Sequence, residues 1–171
     1  MSKPNQATLL SVDEALDFLL SQAHPVEAVE EALTLDALGR VLAAAQVSTI
    51  SVPPLDNSAM DGYAVRAADL NSSGDTRLPV TQRIPAGSVG SALLQQSAAR
   101  IFTGAPIPPG ADAVVMQEDT TQENDVVTIQ RAVPSGNNIR RAGEDIAPGS
   151  TILQAGTRLG PQHLGLAASV G

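Results

Sequence analysis

The chain has 171 residues, of which 43% are hydrophobic, and a near-neutral mean hydropathy of +0.04. That suits one ordinary domain or two small ones and excludes a disordered chain. The net charge is −8 and the only aromatics are Phe18, Tyr63 and Phe102, so the clustered Lys and Arg and the stacking rings needed for nucleic acid or an anionic membrane surface are missing. The absence of cysteine excludes a disulfide framework, a thiolate nucleophile and a cysteine zinc site.

The first predicted element is a helix beginning at Ser11. Ser11-Val-Asp-Glu14 is a capping-box pattern, in which hydroxyl and carboxylate satisfy free N–H groups of the first turn. Val12, Ala15, Leu16, Leu19 and Leu20 then recur at helical spacing. His24-Pro25 ends the helix, because the residue before proline avoids the helical region. Residues 28–35 alternate loosely and are expected to form a strand, and Asp36 to cap a short second helix carrying Leu38, Val41 and Leu42.

From Ser51 onward prolines and glycines become frequent and the apolar runs shorten. Strands are predicted over residues 63–67, 78–84, 100–103, 113–117, 126–129 and 150–153. Turn signals separate them: Ser73-Gly74-Asp75, Ala86-Gly87, Pro108-Pro109-Gly110, Pro134-Ser135-Gly136 and Pro148-Gly149. Pro161 opens a last helix running to about Ser169. The fold class is therefore α+β and predominantly β: an antiparallel β domain over residues 51–149, inserted into a small helical subdomain made from residues 1–50 and 150–171.

His24 and His163 match no metal-ligand spacing and are expected at the surface or at helix ends. The N-terminus has no signal-peptide core and no apolar run is long enough to span a bilayer, which makes the cytoplasm the expected location. Walker, GxGxxG, HExxH and GxSxG motifs are absent.

Three polar segments carry the candidate chemistry. In residues 52–65, Asp56 and Asp61 flank small polar residues, and two nearby carboxylates can hold Mg²⁺ or orient a water. The ordinary alternative is a surface loop whose Asp and Asn side chains bond their own backbone. In residues 100–112, Thr103-Gly104 at a strand end offers a hydroxyl and a free backbone N–H to an oxyanion; the alternative is a plain strand exit. In residues 135–145, Arg140 and Arg141 form the only adjacent basic pair, with Glu144 and Asp145 close behind. Guanidinium forks suit tetrahedral oxyanions, but the segment also reads as a solvated ion-pair cluster. On composition alone the plain readings stand.

Together the three segments resemble one family. DNSAMDGYAV (56–65), TGAPIPPGADAVVMQE (103–118) and SGNNIRRAGEDI (135–146) are similar to stretches of molybdopterin molybdenumtransferases, which include the MoeA-type bacterial enzymes and the E domain of gephyrin. GTRLGPQHLGLAASVG (156–171) looks like the family's closing helix for this region. The resemblance implies transfer of molybdenum from molybdate to adenylated molybdopterin, with release of AMP and a requirement for Mg²⁺. It implies a homodimer, and contact with the molybdopterin adenylyltransferase is a further possible partnership. On this resemblance Asp61, Asp145 and Thr103 are the catalytic residues, with Asp61 and Asp145 the Mg²⁺ ligands. Arg140 and Arg141 bind phosphate or molybdate, and Asn57 and Ser58, with Asp56, shape the loop and help to hold the anion. The family's molybdopterin-binding α/β domain is not represented, so the chain is expected to be part of a longer enzyme and inactive alone. A non-catalytic dimerisation or scaffold module of the same family is the alternative.

Overall fold

The capping box at Ser11 forms as the sequence prescribes. In the computed structural model, which describes residues 10–171, the Glu14 amide donates to Ser11 Oγ at 3.2 Å and the Ser11 amide donates to Glu14 Oε2 at 2.8 Å. Helix α1 follows over Val12–Gln22 and buries none of its residues. Residues 1–9, part of the stretch expected to lack a signal-peptide core, lie outside the described residues. Among the described residues no helix is long and apolar enough to cross a membrane.

The chain divides into two units, one ending at Leu33 and the other spanning Thr34–Gly171. The strand expected over residues 28–35 does not form. Residues 23–33 are irregular and exposed and have no ladder partner, without which an extended segment is not a strand; Thr34–Asp36 is a 3-10 turn instead.

The second short helix is absent too, and the reason is tertiary. Gly39 adopts φ +79° and turns the chain alongside residues 149–159. The Gly39 amide donates to the Leu159 carbonyl and the Leu159 amide to the Arg40 carbonyl, both at 2.8 Å, and the Leu42 amide donates to the Thr157 carbonyl at 3.0 Å. Strand β1 (Gln46–Val47) then pairs antiparallel with a strand near the chain's end, Thr151–Leu153, called β10 below. Long-range pairing has consumed the groups that a helix would have used. Ala37, Leu153 and Leu159 form a small core there, packed by Leu42, Ile152, Leu164, Leu166 and Ala167. Helix α2 is Pro161–Ser169, and His163 Nδ1 accepts the Gly160 amide at 2.9 Å, making this histidine a helix-end residue.

Between these ends lies a six-stranded sheet. Its strands are β3 (Gly62–Val65), β4 (Thr76–Ile84), β5 (Ala98–Ile101), β6 (Ala113–Met116), β7 (Thr120–Glu123) and β8 (Val126–Ile129), in spatial order β6-β3-β5-β4-β8-β7. All neighbours are antiparallel except β4 and β5, which are parallel and so correct the all-antiparallel expectation. The sheet curls, and Tyr63 Oη on β3 donates to Gln122 Oε1 on β7 at 2.6 Å.

Successive side chains of a strand point to opposite faces, and here both faces are covered. Tyr63, Val65, Val115, Val127 and Ile129 pack on one side, while Ala64, Ile84, Ile101 and Val114 pack on the other with Leu93 and Ala105. This double burial is why β3 and β6 read as unbroken apolar runs. Two further short strands, β2 (Asn57–Ser58) and β9 (Ile139–Arg140), pair antiparallel beside the sheet.

Candidate functional site

The short strand β2 gathers the three polar segments. On one side Asn57 faces Arg140 and Ser58 faces Ile139, and the Ala59 amide donates to the Asn138 carbonyl at 2.9 Å. On the other side the Gly104 amide donates to the Ser58 carbonyl at 2.8 Å, while the Ser58 amide to the Ala105 carbonyl and the Ile107 amide to the Asp56 carbonyl each span 2.9 Å. Residues 56–58 are thus the middle of a three-stranded arrangement of motifs, and the expected site residues are neighbours in space.

Thr103 and Asp61 form one end. The Thr103 amide donates to Asp61 Oδ1 at 2.9 Å, and its hydroxyl donates to the same oxygen at 2.8 Å. The backbone N–H first, then the hydroxyl, hold the Asp61 carboxyl below its ordinary pKa, and the nearby Arg100 adds a smaller push. Of the two readings of Thr103-Gly104, an oxyanion cradle and a plain strand exit, the geometry accords with the plain one. The two donors of Thr103 already serve a carboxylate of the chain itself, and the Gly104 amide is bonded to Ser58.

The arginine pair divides. Adjacent residues on extended backbone point apart, so Arg140 and Arg141 do not act as one fork. Arg140 Nη2 donates to both oxygens of Asp145, at 2.6 and 2.7 Å, and its Nε lies 3.7 Å from Glu144. The hydrogen bond to Asp145 raises the guanidinium's pKa above its already high value. Arg141 Nη1 instead donates to Asp56 Oδ2 at 2.6 Å, and Asp56 Oδ1 accepts the Ala142 amide at 2.8 Å. The Ala142 amide first, and Arg141 second, lower the Asp56 pKa. An incoming anion at either arginine must therefore compete with a carboxylate already in place.

Ser58 is fully buried, and its hydroxyl donates to the Met60 carbonyl. It builds the loop and presents no group to a ligand, unlike the anion-binding role expected of it. Asn57 Oδ1 is buried without a hydrogen-bond partner. For Mg²⁺ the candidate ligands are Asp61 and Asp145, and an ion of this kind is usually held by one or two carboxylates together with substrate phosphates and water. Among the described residues no three His, Cys, Asp or Glu side chains come together as a metal cluster, and both oxygens of Asp145 are taken by Arg140.

Residues 10–171 match the family described as the MoeA N-terminal region, domains I and II. The chain belongs to this family. It is 47% identical over 139 residues to molybdopterin molybdenumtransferase 2 of Mycobacterium tuberculosis, a match covering 79% of this chain and 34% of that protein. It is 38% identical over 169 residues to the molybdopterin molybdenumtransferase of Synechococcus elongatus, covering 95% of this chain and 42% of that protein. Among solved structures, the molybdopterin biosynthesis MoeA protein of Pyrococcus horikoshii superposes with a TM-score of 0.86 at 37% identity, over 93% of this chain and 43% of that one. The chain thus spans less than half the length of these relatives.

Sequence reasoning passed over Arg100, which donates from Nη1 to the Gly62 carbonyl at 3.1 Å beside Asp61. The signal was available: Arg100 and Phe102 alternate with buried Ile101 and so share a face.

Proposed function

We propose that this chain is the N-terminal part of a molybdopterin molybdenumtransferase that, as a whole protein, transfers molybdenum from molybdate to adenylated molybdopterin with release of AMP. The observation that carries the reading is the junction at β2, where residues 56–59 bond both residues 104–107 and residues 138–140. Family membership supports a role in molybdenum cofactor biosynthesis. Asp61, kept ionised by Thr103, supplies a fixed negative charge at the edge of the junction. Arg140 and Arg141, each held by a carboxylate, are the charges that exchange an internal partner for the substrate's phosphoryl or molybdate oxygens. Among the described residues no three metal-ligating side chains cluster, so Mg²⁺ would be held by one or two carboxylates of this chain together with the substrate's phosphate oxygens. The remaining groups come from the part of the enzyme beyond these residues.

In the full-length protein, Asp61→Asn is expected to abolish molybdenum insertion while the melting temperature stays close to that of the parent. Near-normal insertion by that variant would remove Asp61 from the chemistry.

A second reading, a dimerisation or scaffold module, draws on α1, whose Leu16, Phe18, Leu19 and Leu20 are all at least half exposed. Apolar surface of this kind suits burial against another chain, consistent with a homodimer. Sedimentation velocity tests it: Leu16→Glu with Leu20→Glu should convert a dimer to a monomer, and a parent chain that sediments as a monomer would refute it.

A further inference from the structure

At the start of the second segment, the parallel register of β4 and β5 places Arg83 directly opposite Arg100. Two like charges so placed repel, and an acidic chain has no evident need to set them side by side. Both lie over the ring of Phe102, Arg83 at 4.5 Å and Arg100 at 4.7 Å from its centroid, and Arg100 is also 5.2 Å from the Tyr63 centroid. The ring faces offset part of the repulsion. Arg100 spends Nη1 on the Gly62 carbonyl and Nη2 on Gln117 Oε1. Arg83 has no hydrogen-bond or ion-pair partner among the described residues, in contrast to Arg140 and Arg141.

The two guanidinium groups border a recess of about 280 Å³. Its other polar walls are already satisfied internally. Thr81 Oγ1 donates to the Ala98 carbonyl, Gln82 exchanges two hydrogen bonds with the Ser91 backbone, and Gln122 bonds Tyr63 and the Asn124 carbonyl. Asp125 also lines the recess but makes no ion pair with either arginine. What the recess offers a ligand is therefore the open Arg83 fork, backed by a second positive charge.

We propose that this recess binds a tetrahedral dianion of the phosphate class, free or as a monoester, with Arg83 as the principal donor and Arg100 as the supporting charge. A planar fork pairs two oxygens of such an ion, and two adjacent cations select a dianion over a monoanion. Arg83 lies outside the groups proposed for molybdenum transfer, and Arg100 touches them only as a charge near Asp61, so phosphate binding here is separable from that activity.

Titration calorimetry on the 171-residue chain, with inorganic phosphate, AMP and acetate as ligands, tests it. Phosphate is expected to bind saturably and more weakly as salt rises, and acetate to bind at least about tenfold more weakly than phosphate. Arg83→Gln should weaken phosphate binding by about tenfold or more, whereas Arg131→Gln, which removes the same charge outside the recess, should change it little. Asp125→Asn should tighten binding by removing the facing carboxylate, which keeps the test available should Arg83→Gln fail to fold. Tighter binding of AMP identifies an ester as the ligand, and equal binding identifies the free ion. Undiminished phosphate binding by Arg83→Gln, equal losses in Arg83→Gln and Arg131→Gln, or no saturable binding by the parent would each overturn the proposal.

Discussion

Gly62 stands next to Asp61 for a reason of space, and Gly62→Ala measures how tightly that space is held. A Cβ at Gly62 would overlap the Val115 carbonyl oxygen and lie 2.9 Å from the Val115 carbonyl carbon and 3.1 Å from Met116 Cα. All three obstructing atoms are backbone on β6, so no change of rotamer relieves the overlap. Strand β3 must move away from β6, straining the pairing at Gly62–Met116 and Tyr63–Val115. Overpacking costs about 1–3 kcal/mol, and buried backbone groups left unpaired add about 1–3 kcal/mol. A total of roughly 2–6 kcal/mol lowers the melting temperature by about 4–24 °C in a domain of this size. Scanning calorimetry on parent and variant measures it directly. A shift under about 3 °C would show that the strands part easily and that the close approach is not a constraint.

Two further outcomes follow from the carboxylates. The folded-state pKa of Asp61 lies below its ordinary 3.8, so its stabilising contribution is complete above that pH and is lost as pH falls through the lowered value. An NMR titration of the Asp61 carboxyl should therefore show a midpoint below 3.8, and Thr103→Val should raise it; an unchanged midpoint in that variant would exclude the hydroxyl as a partner. The Arg141–Asp56 pair is largely exposed, so Arg141→Ala is expected to cost less than about 1 kcal/mol in denaturant unfolding. Asp56→Ala should cost more, because the Ala142 amide also loses its acceptor; equal costs would contradict that ordering.

Strands buried on both faces were legible because they had to be apolar nearly throughout, as at β3 and β6. The polar strand β7, with the sequence TTQE, sits at a sheet edge with most of its side chains in water, so no apolar run marked it. The two-residue strands β1, β2 and β9 are shorter than any periodicity can register, and the helix expected at Asp36 yielded to pairing with residues 149–159. At the site, residue types and motif order marked the right segments, but not who bonds whom. The pairing of Arg141 with Asp56, and the turning of both Thr103 donors onto Asp61, depend on partners 42 residues or more away, whereas Arg140 finds Asp145 only 5 positions on. The Arg83–Arg100 contact depends on a parallel register that nothing local specifies.

The stitching at β2 also sets an order of events during synthesis. Asp61 waits for a partner 42 positions later in the chain, and Asp56 for partners 85 and 86 positions later. The site thus cannot be complete until the ribosome has released residue 145, by which time the strands of the sheet are already available to fold. Contacts of such long range close slowly, so the junction is expected to form as a late, single event rather than residue by residue. Until then Asp56 and the two arginines remain solvated charges on an open chain, which disfavours premature burial of the loop at β2.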